Sequence, residues 1–268
     1  MSERPLAVVT GASSGIGAEF ARQLAARGYD LMITARRGDR LQALAAELKP
    51  VAVEVVEADL TSDTGRALLT EKILHVPKLA LLVNNAGFGT LGLLEKAALE
   101  EQDQMHRLHI LTTLALSHAA LRNFKGQPIQ EAQIKGIINV SSVASFIQSP
   151  TSVSYNATKA WMTSFTEGLA AEQAAQATGI RTQALCPGFT YSEFHDHANL
   201  GRGAIPKQLW MSSQFVVAQS LKGFDAGKVI VIPGWRYQLL VGFIQVMPRG
   251  TMRWISTLAA RRFRKPKS

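Results

Sequence analysis

The chain has 268 residues, with 29 basic and 20 acidic side chains, a formal net charge of +9, and one cysteine. That length suits a single α/β domain with a large core. The lone Cys186 excludes an internal disulfide and points to a reducing, cytoplasmic setting. No apolar run reaches the roughly 20 residues a membrane-crossing helix needs, and MSERPLAVVT leads into a strand pattern instead of a secretory leader.

In chain order, LAVVT (residues 6–10) reads as a first strand. GASSGIG follows at once and then AEFARQLAARG, where Ile16, Phe20, Leu24 and Ala25 mark a helical period. Strand, glycine turn and helix in that order aim a helix N-terminus at a phosphate. Gly11, Gly15 and Gly17 supply the turn, the close backbone approach and the tight helix–strand contact of a dinucleotide fingerprint. The second strand, DLMITA, ends in Ala35, Arg36 and Arg37. An acid near this point usually holds a ribose 2′-hydroxyl. Arg36 instead suits a 2′-phosphate, so NADP(H) is the expected cofactor. Arg37 and Arg40 add to that field or open the next helix on its solvent side.

The aliphatic runs VAVEVVEA, LALLVNNA, KGIINVSS, IRTQALCP and GKVIVIP continue the series, with helical stretches between most of them. This alternation predicts a doubly wound parallel sheet of about seven strands with helices on both faces. Cys186 before Pro187 reads as core packing.

Tyr155 and Lys159 in YNATK stand at i and i+4, on one face of a helix. An ammonium beside a phenol favours phenolate, and the tyrosine is expected to titrate below its usual value near 10. Such a phenol exchanges a proton with a substrate oxygen. Ser142, 13 residues upstream in NVSS, offers a hydroxyl to the same oxygen.

Thr10 to Gly17 (TGASSGIG), Asn84 to Gly87 (NNAG), NVSS with Ser142, Tyr155 to Lys159 (YNATK), and Pro187–Gly188 occur in one order. In this the chain resembles the short-chain dehydrogenase/reductase family from about Leu6 to Ile232. The resemblance implies a single-domain Rossmann-like fold over residues 1–235, with Ser142, Tyr155 and Lys159 as a catalytic triad. It implies cofactor contacts at Gly11, Ser13, Ser14, Gly15, Ile16, Gly17, Arg36, Asp59, Leu60, Asn85, Ala86, Gly87, Tyr155, Lys159, Pro187, Gly188, Thr190 and Ser192. Asp59 would meet the adenine amino group, and Thr190 or Ser192 the carboxamide. The family often has an asparagine in the helix after NNAG, supporting a proton relay to the lysine. Here MHRLHILTT puts His109 there. It is expected either to carry an altered relay, since imidazole titrates near neutrality, or to be a partly buried helix residue without a proton role. The reading is an NADPH-dependent carbonyl reductase. A dinucleotide-binding regulatory protein without turnover stays open beside it.

Residues 189–215 should cover the site, with FIQSP (146–150) opposite. Their aromatic and aliphatic side chains suggest a hydrophobic ketone or a 3-oxoacyl substrate. His195 and His197 face opposite sides of a helix at their spacing, and no metal is expected. From Ala226 to Ser268 the chain has nine basic residues and no acid. The remainder is balanced at 20 basic (29 less nine) against 20 acidic. Residues 236–268 therefore read as a basic amphipathic extension, with Met252, Ile255, Leu258, Ala259 and Phe263 near one face. It suits an anionic membrane surface or a partner subunit. No base-reading module is present, so nucleic acid is not an expected partner. A homo-oligomer is implied by the resemblance alone.

Overall fold

The computed structural model describes residues 4–127, 134–191, 206–248, 250–252, 254 and 256–258. Seven strands form one parallel sheet in the order β3-β2-β1-β4-β5-β6-β7. They are β1 (Leu6–Thr10), β2 (Asp30–Ala35), β3 (Val53–Glu57), β4 (Leu79–Asn84), β5 (Gly136–Val140), β6 (Arg181–Leu185) and β7 (Ile230–Val231). The run GKVIVIP pairs over only two residues, beside the end of β6. Chain order reverses at the β1–β4 neighbours, and in such sheets ligands bind outside the carboxyl ends of the strands at this crevice.

Side-chain alternation along the strands builds two cores. Ala7 and Val9 of β1 join Phe20 and Leu24 of α1 (Gly15–Ala26), with Val216, Leu221 and Phe224 of α7 (Ser213–Asp225). Val8, between them, faces the other way. It joins Leu69 and Ile73 of α3 (Asp63–His75) and Leu116 and Phe124 of α5 (Thr113–Gly126). Helix α2 (Gly38–Glu47) adds Leu41 and Leu44 to the first core. Phe20 has no exposed surface, and truncation to alanine would cost about 3–5 kcal/mol.

Three helical pieces run head to tail after β4: α4 (Leu99–His106), a π-helical turn (Arg107–Thr112), and α5. The residues at both junctions keep helical dihedrals. A wide turn of this kind shifts one side chain relative to a regular helix and is frequent at functional sites. Here it holds His109. Helix α6 (Val153–Ala175) carries Tyr155 and Lys159 in its first two turns, and α8 (Trp235–Val246) follows β7. No helix among the described residues is long and apolar enough to cross a membrane.

Candidate active site

The glycine turn after β1 is shaped by missing atoms. Gly11 sits at φ +66° and Gly15 at +57°, conformations that glycine adopts without a steric cost. A Cβ on Gly17 would stand 2.3 Å from the Gly11 carbonyl oxygen and 2.4 Å from Asn85 Nδ2. That vacancy lets Asn85 Nδ2 donate to the carbonyls of Thr10 (2.9 Å) and Gly11 (3.2 Å). The Thr10 hydroxyl accepts from the amides of Asn85 and Ala86 at 2.9 Å each. The loops after β1 and β4 are thereby joined at the switch point.

Helix α1 opens at Gly15, with Ser14 extended before it and no acid in its first turn. Ile16 packs on the adjoining core. Arg37, not Arg36, reaches this turn: its guanidinium donates to Ser13 Oγ (2.8 Å from Nη2) and Ser14 Oγ (3.0 Å). Arg36 is exposed at the end of β2. Free helix amides, two hydroxyls and a guanidinium fit a phosphate-bearing dinucleotide. Asp59 lies exposed after β3, with Oδ1 accepting from Thr61 N at 3.0 Å and Thr61 Oγ1 at 2.8 Å. Leu60 is buried, and its carbonyl accepts from Thr112 of the π turn at 2.7 Å.

At the end of β5, Ser142 is extended (φ −169°) and its hydroxyl accepts from Ala144 N at 3.1 Å. The Val143 amide donates to the Pro187 carbonyl at 3.0 Å. Ser142 and the Tyr155 phenol share a hydrogen bond. Lys159, 4% exposed, donates to the Val140 carbonyl at 2.8 Å, and its nitrogen lies 5.9 Å from the Tyr155 ring centre. The serine, tyrosine and lysine therefore do converge.

Their protonation departs from the expectation. Tyr155 keeps a partly exposed surface, yet the protein around it pushes the phenol up to about 12, with the Ser142 bond pulling weakly the other way. Burial lowers Lys159 to about 8. Desolvation outweighs proximity on the helix face. The phenol is a held acid, not a phenolate.

His109 also departs from expectation. It has no exposed surface, and burial first, then the charges of Lys159 and His106, hold it well below the usual imidazole range. It stays neutral and does not titrate near neutrality. Its tautomer follows from its partner. Thr158 Oγ1 donates to the Tyr155 carbonyl (2.8 Å), so at 2.9 Å it accepts from His109 Nδ1–H. Nε2 is then a bare acceptor, buried with no hydrogen-bond partner among the described residues. A methyl on Gly87 would stand 2.6 Å from it, and the His109 and Tyr155 rings are 6.1 Å apart. His109 thus links the NNAG loop to the Tyr155 turn of α6.

Pro187 is buried, and a Cβ on Gly188 would strike the Tyr237 ring at 2.1 Å. Thr190 is 2% exposed, donates to the Gly188 carbonyl at 3.0 Å, and pairs with Met211. Tyr191 stacks on Trp210 with ring centres 4.9 Å apart. Both ends of the predicted cover are therefore pinned, and Ser213–Phe215 belong to α7. Ser192, His195 and His197 lie outside the described residues. Cys186 is fully buried, and burial raises its thiol to about 11, which suits packing and not nucleophilic attack. Arg37 takes the first of the two roles open to it in the sequence, whereas Thr158 and Tyr237 were not expected as site residues. An i+3 neighbour of Tyr155 on the same helix face was the available signal for Thr158. Nothing local marked Tyr237.

A family model described as short chain dehydrogenase matches residues 5–202. An uncharacterized oxidoreductase of Staphylococcus saprophyticus is 36% identical over 192 residues, covering 71% of this chain and 76% of that protein. The 3-oxoacyl-[acyl-carrier-protein] reductase FabG of Aquifex aeolicus is 28% identical over 245 residues, covering 85% and 96%. Among solved structures, a short-chain dehydrogenase of Sphingobium yanoikuyae in complex with NADPH superposes with a TM-score of 0.79 at 32% identity, over 90% of this chain and 93% of that one. The bulky-bulky ketone specific alcohol dehydrogenase of Comamonas testosteroni gives 0.75 at 29%, over 92% and 96%. The chain belongs to the short-chain dehydrogenase family, a family of oxidoreductases acting between carbonyl and hydroxyl groups.

Proposed function

We propose that this protein is an NADPH-dependent carbonyl reductase for a hydrophobic ketone or 3-oxoacyl compound. The observation that carries this reading is the meeting of Ser142, Tyr155 and Lys159 at the end of β5, beside the switch-point crevice. When bound, the nicotinamide supplies hydride to the carbonyl carbon, or takes it back in the reverse oxidation. Ser142 holds the substrate oxygen. Tyr155, protonated throughout the neutral range, gives that oxygen its proton as negative charge develops there. Lys159 would then restore the phenol's proton and would help hold the ribose of a bound cofactor. His109 Nε2, the unpartnered buried acceptor, holds a water or hydroxyl in the relay behind it.

The preference for NADPH over NADH rests on Arg36 and Arg37 at the end of β2, and Arg37 supports it through its bonds to Ser13 and Ser14. The S. yanoikuyae relative holds NADPH. A hydrophobic substrate is supported by Phe189, Tyr191, Trp210 and Met211 at the rim and by the C. testosteroni relative's bulky ketones. Residues 236–268 act as an extension of the 1–235 catalytic unit, and a homo-oligomer is the expected assembly.

NADPH oxidation against a panel of ketones and 3-oxoacyl thioesters tests the reading. Tyr155→Phe should cut turnover by about 10²–10⁴ while dinucleotide still binds. Retained turnover refutes the tyrosine's role. Tight dinucleotide binding with no oxidation of any panel member favours the regulatory alternative.

A further inference from the structure

Helix α8 has two faces. Tyr237 and Val241 are 4% and 1% exposed, and the Tyr237 hydroxyl donates to the Leu209 carbonyl (2.7 Å) and accepts from Phe189 N (3.0 Å). At 100° per residue, Trp235, Leu239, Phe243 and Val246 fall within roughly 80° on the other side. They are 64%, 65%, 62% and 79% exposed. No charged residue occurs from Tyr237 to Pro248. Arg236 borders the stripe, its guanidinium 5.1 Å from the Trp235 ring centre. Farther on, Trp254 is 64% exposed. Four large apolar side chains in a row form a contiguous patch, unlike the single exposed apolar residues of an ordinary surface.

We propose that this face of α8 seats the protein on an anionic membrane surface, the positive charge coming from the stretch of sequence that flanks the helix. Charge decides the occupant. From Ala226 to Ser268 there are nine basic residues and no acid. The stripe itself is uncharged, and a two-fold contact with a second copy would draw the same net-positive stretch of chain in from both sides. Anionic headgroups complement that stretch, while the stripe enters the acyl boundary. The inner face of the same helix holds the Phe189–Met211 rim. On the functional reading above, docking would therefore open the active site toward compounds dissolved in the bilayer.

The test uses the full chain in vesicle flotation, with phosphatidylcholine alone and mixed with phosphatidylglycerol, at low and high salt. Wild type should float with the mixed vesicles, far less with the neutral ones, and release in high salt. The double variant Leu239→Glu, Phe243→Glu should lose about 10-fold or more in vesicle affinity. Its circular dichroism and its turnover of a water-soluble ketone should not change. Absence of wild-type flotation, or equal flotation by the variant, overturns the proposal. So does a change of oligomeric state in the variant, by light scattering, with wild type failing to float. Flotation does not depend on turnover, so failure of the enzyme assignment would leave this result readable.

Discussion

At the end of β1 the chain is organised by space, and at the end of β5 by buried charge. The glycine turn has almost no freedom: Gly17 lies within reach of a carbonyl and an amide that a Cβ would strike. The Ser142–Tyr155–Lys159 group is set by burial instead. What it controls is where protons sit, with the phenol raised to about 12 and the ammonium lowered to about 8 by the same burial. On the proposed function, cofactor recognition is a matter of backbone shape, and reactivity a matter of desolvation. The two should fail in different ways when disturbed.

Lys159→Met should break the charged region most severely. Turnover should fall by about 10³-fold or more through loss of the proton relay, yet the fold should gain stability at neutral pH. Burial lowers this lysine from 10.5 to about 8. Below pH 8 both folded and unfolded chains hold its proton, and the folded state bears the full cost of a buried ammonium, on the order of 3 kcal/mol. Between 8 and 10.5 the unfolded chain binds the proton that the folded one lacks, so stability from this group rises with pH. The variant forfeits the Val140 bond, worth about 1 kcal/mol. A Tm roughly 5 °C higher than wild type at pH 7, with the gap closing toward pH 10, is the expected calorimetric result. A lower Tm at pH 7 contradicts desolvation as the dominant effect.

Gly17→Ala disturbs shape instead. The Gly11 carbonyl or the Asn85 amide must move, and overpacking of this kind costs about 1–3 kcal/mol. Dinucleotide affinity should fall about 100-fold, measured by fluorescence titration, without any change in the pH profile of the remaining activity. A shifted pH profile would mean that the two regions are not separable. Arg37→Ala sharpens the cofactor assignment. The KM for NADPH should rise about 10-fold while that for NADH changes little. Equal effects on both would move the 2′-phosphate contact elsewhere, with Arg36 as the next residue to substitute.

All seven strands are readable in the sequence, most of them because strands covered on both faces show as aliphatic runs. GIINV is buried at every position, for example. The last run contributes only Ile230–Val231, since composition does not reveal how far a neighbour extends. The Ser142, Tyr155 and Lys159 convergence is readable from spacing and family pattern together. Its proton affinities are not, because they depend on how much protein surrounds each group. Tyr237 escaped notice because its partner Phe189 is 48 residues away, and the π turn because one wide helical turn leaves no periodic trace. The tail's positive charge is plain in composition, but the exposed stripe lies one element earlier than the 252–263 face proposed for it. Ile255, Ala259 and Phe263 of that face are outside the described residues.

His109 is the one residue through which shape and charge meet, and its substitution should have the smallest effect. It touches the Gly87 region with a bare Nε2 and holds Thr158 with Nδ1–H. The folded ring, held below the usual imidazole range, stays neutral from pH 6 to 8, while the unfolded imidazole still takes up a proton below about 6.5, so stability from this group rises with pH through the lower part of that range. Nitrogen NMR should accordingly find the Nδ1–H tautomer throughout that range. His109→Asn keeps one donor and one acceptor, so kcat should drop by only about 3-fold. His109→Leu keeps neither and leaves Thr158 without its donor, and kcat should fall about 10-fold further while the KM for NADPH holds. If leucine and asparagine behave alike, the ring is packing and the acceptor at Nε2 has no part in the relay. If asparagine alone retains activity, the lone pair beside Gly87 does the work, and the proton path runs through this residue as surely as through Lys159.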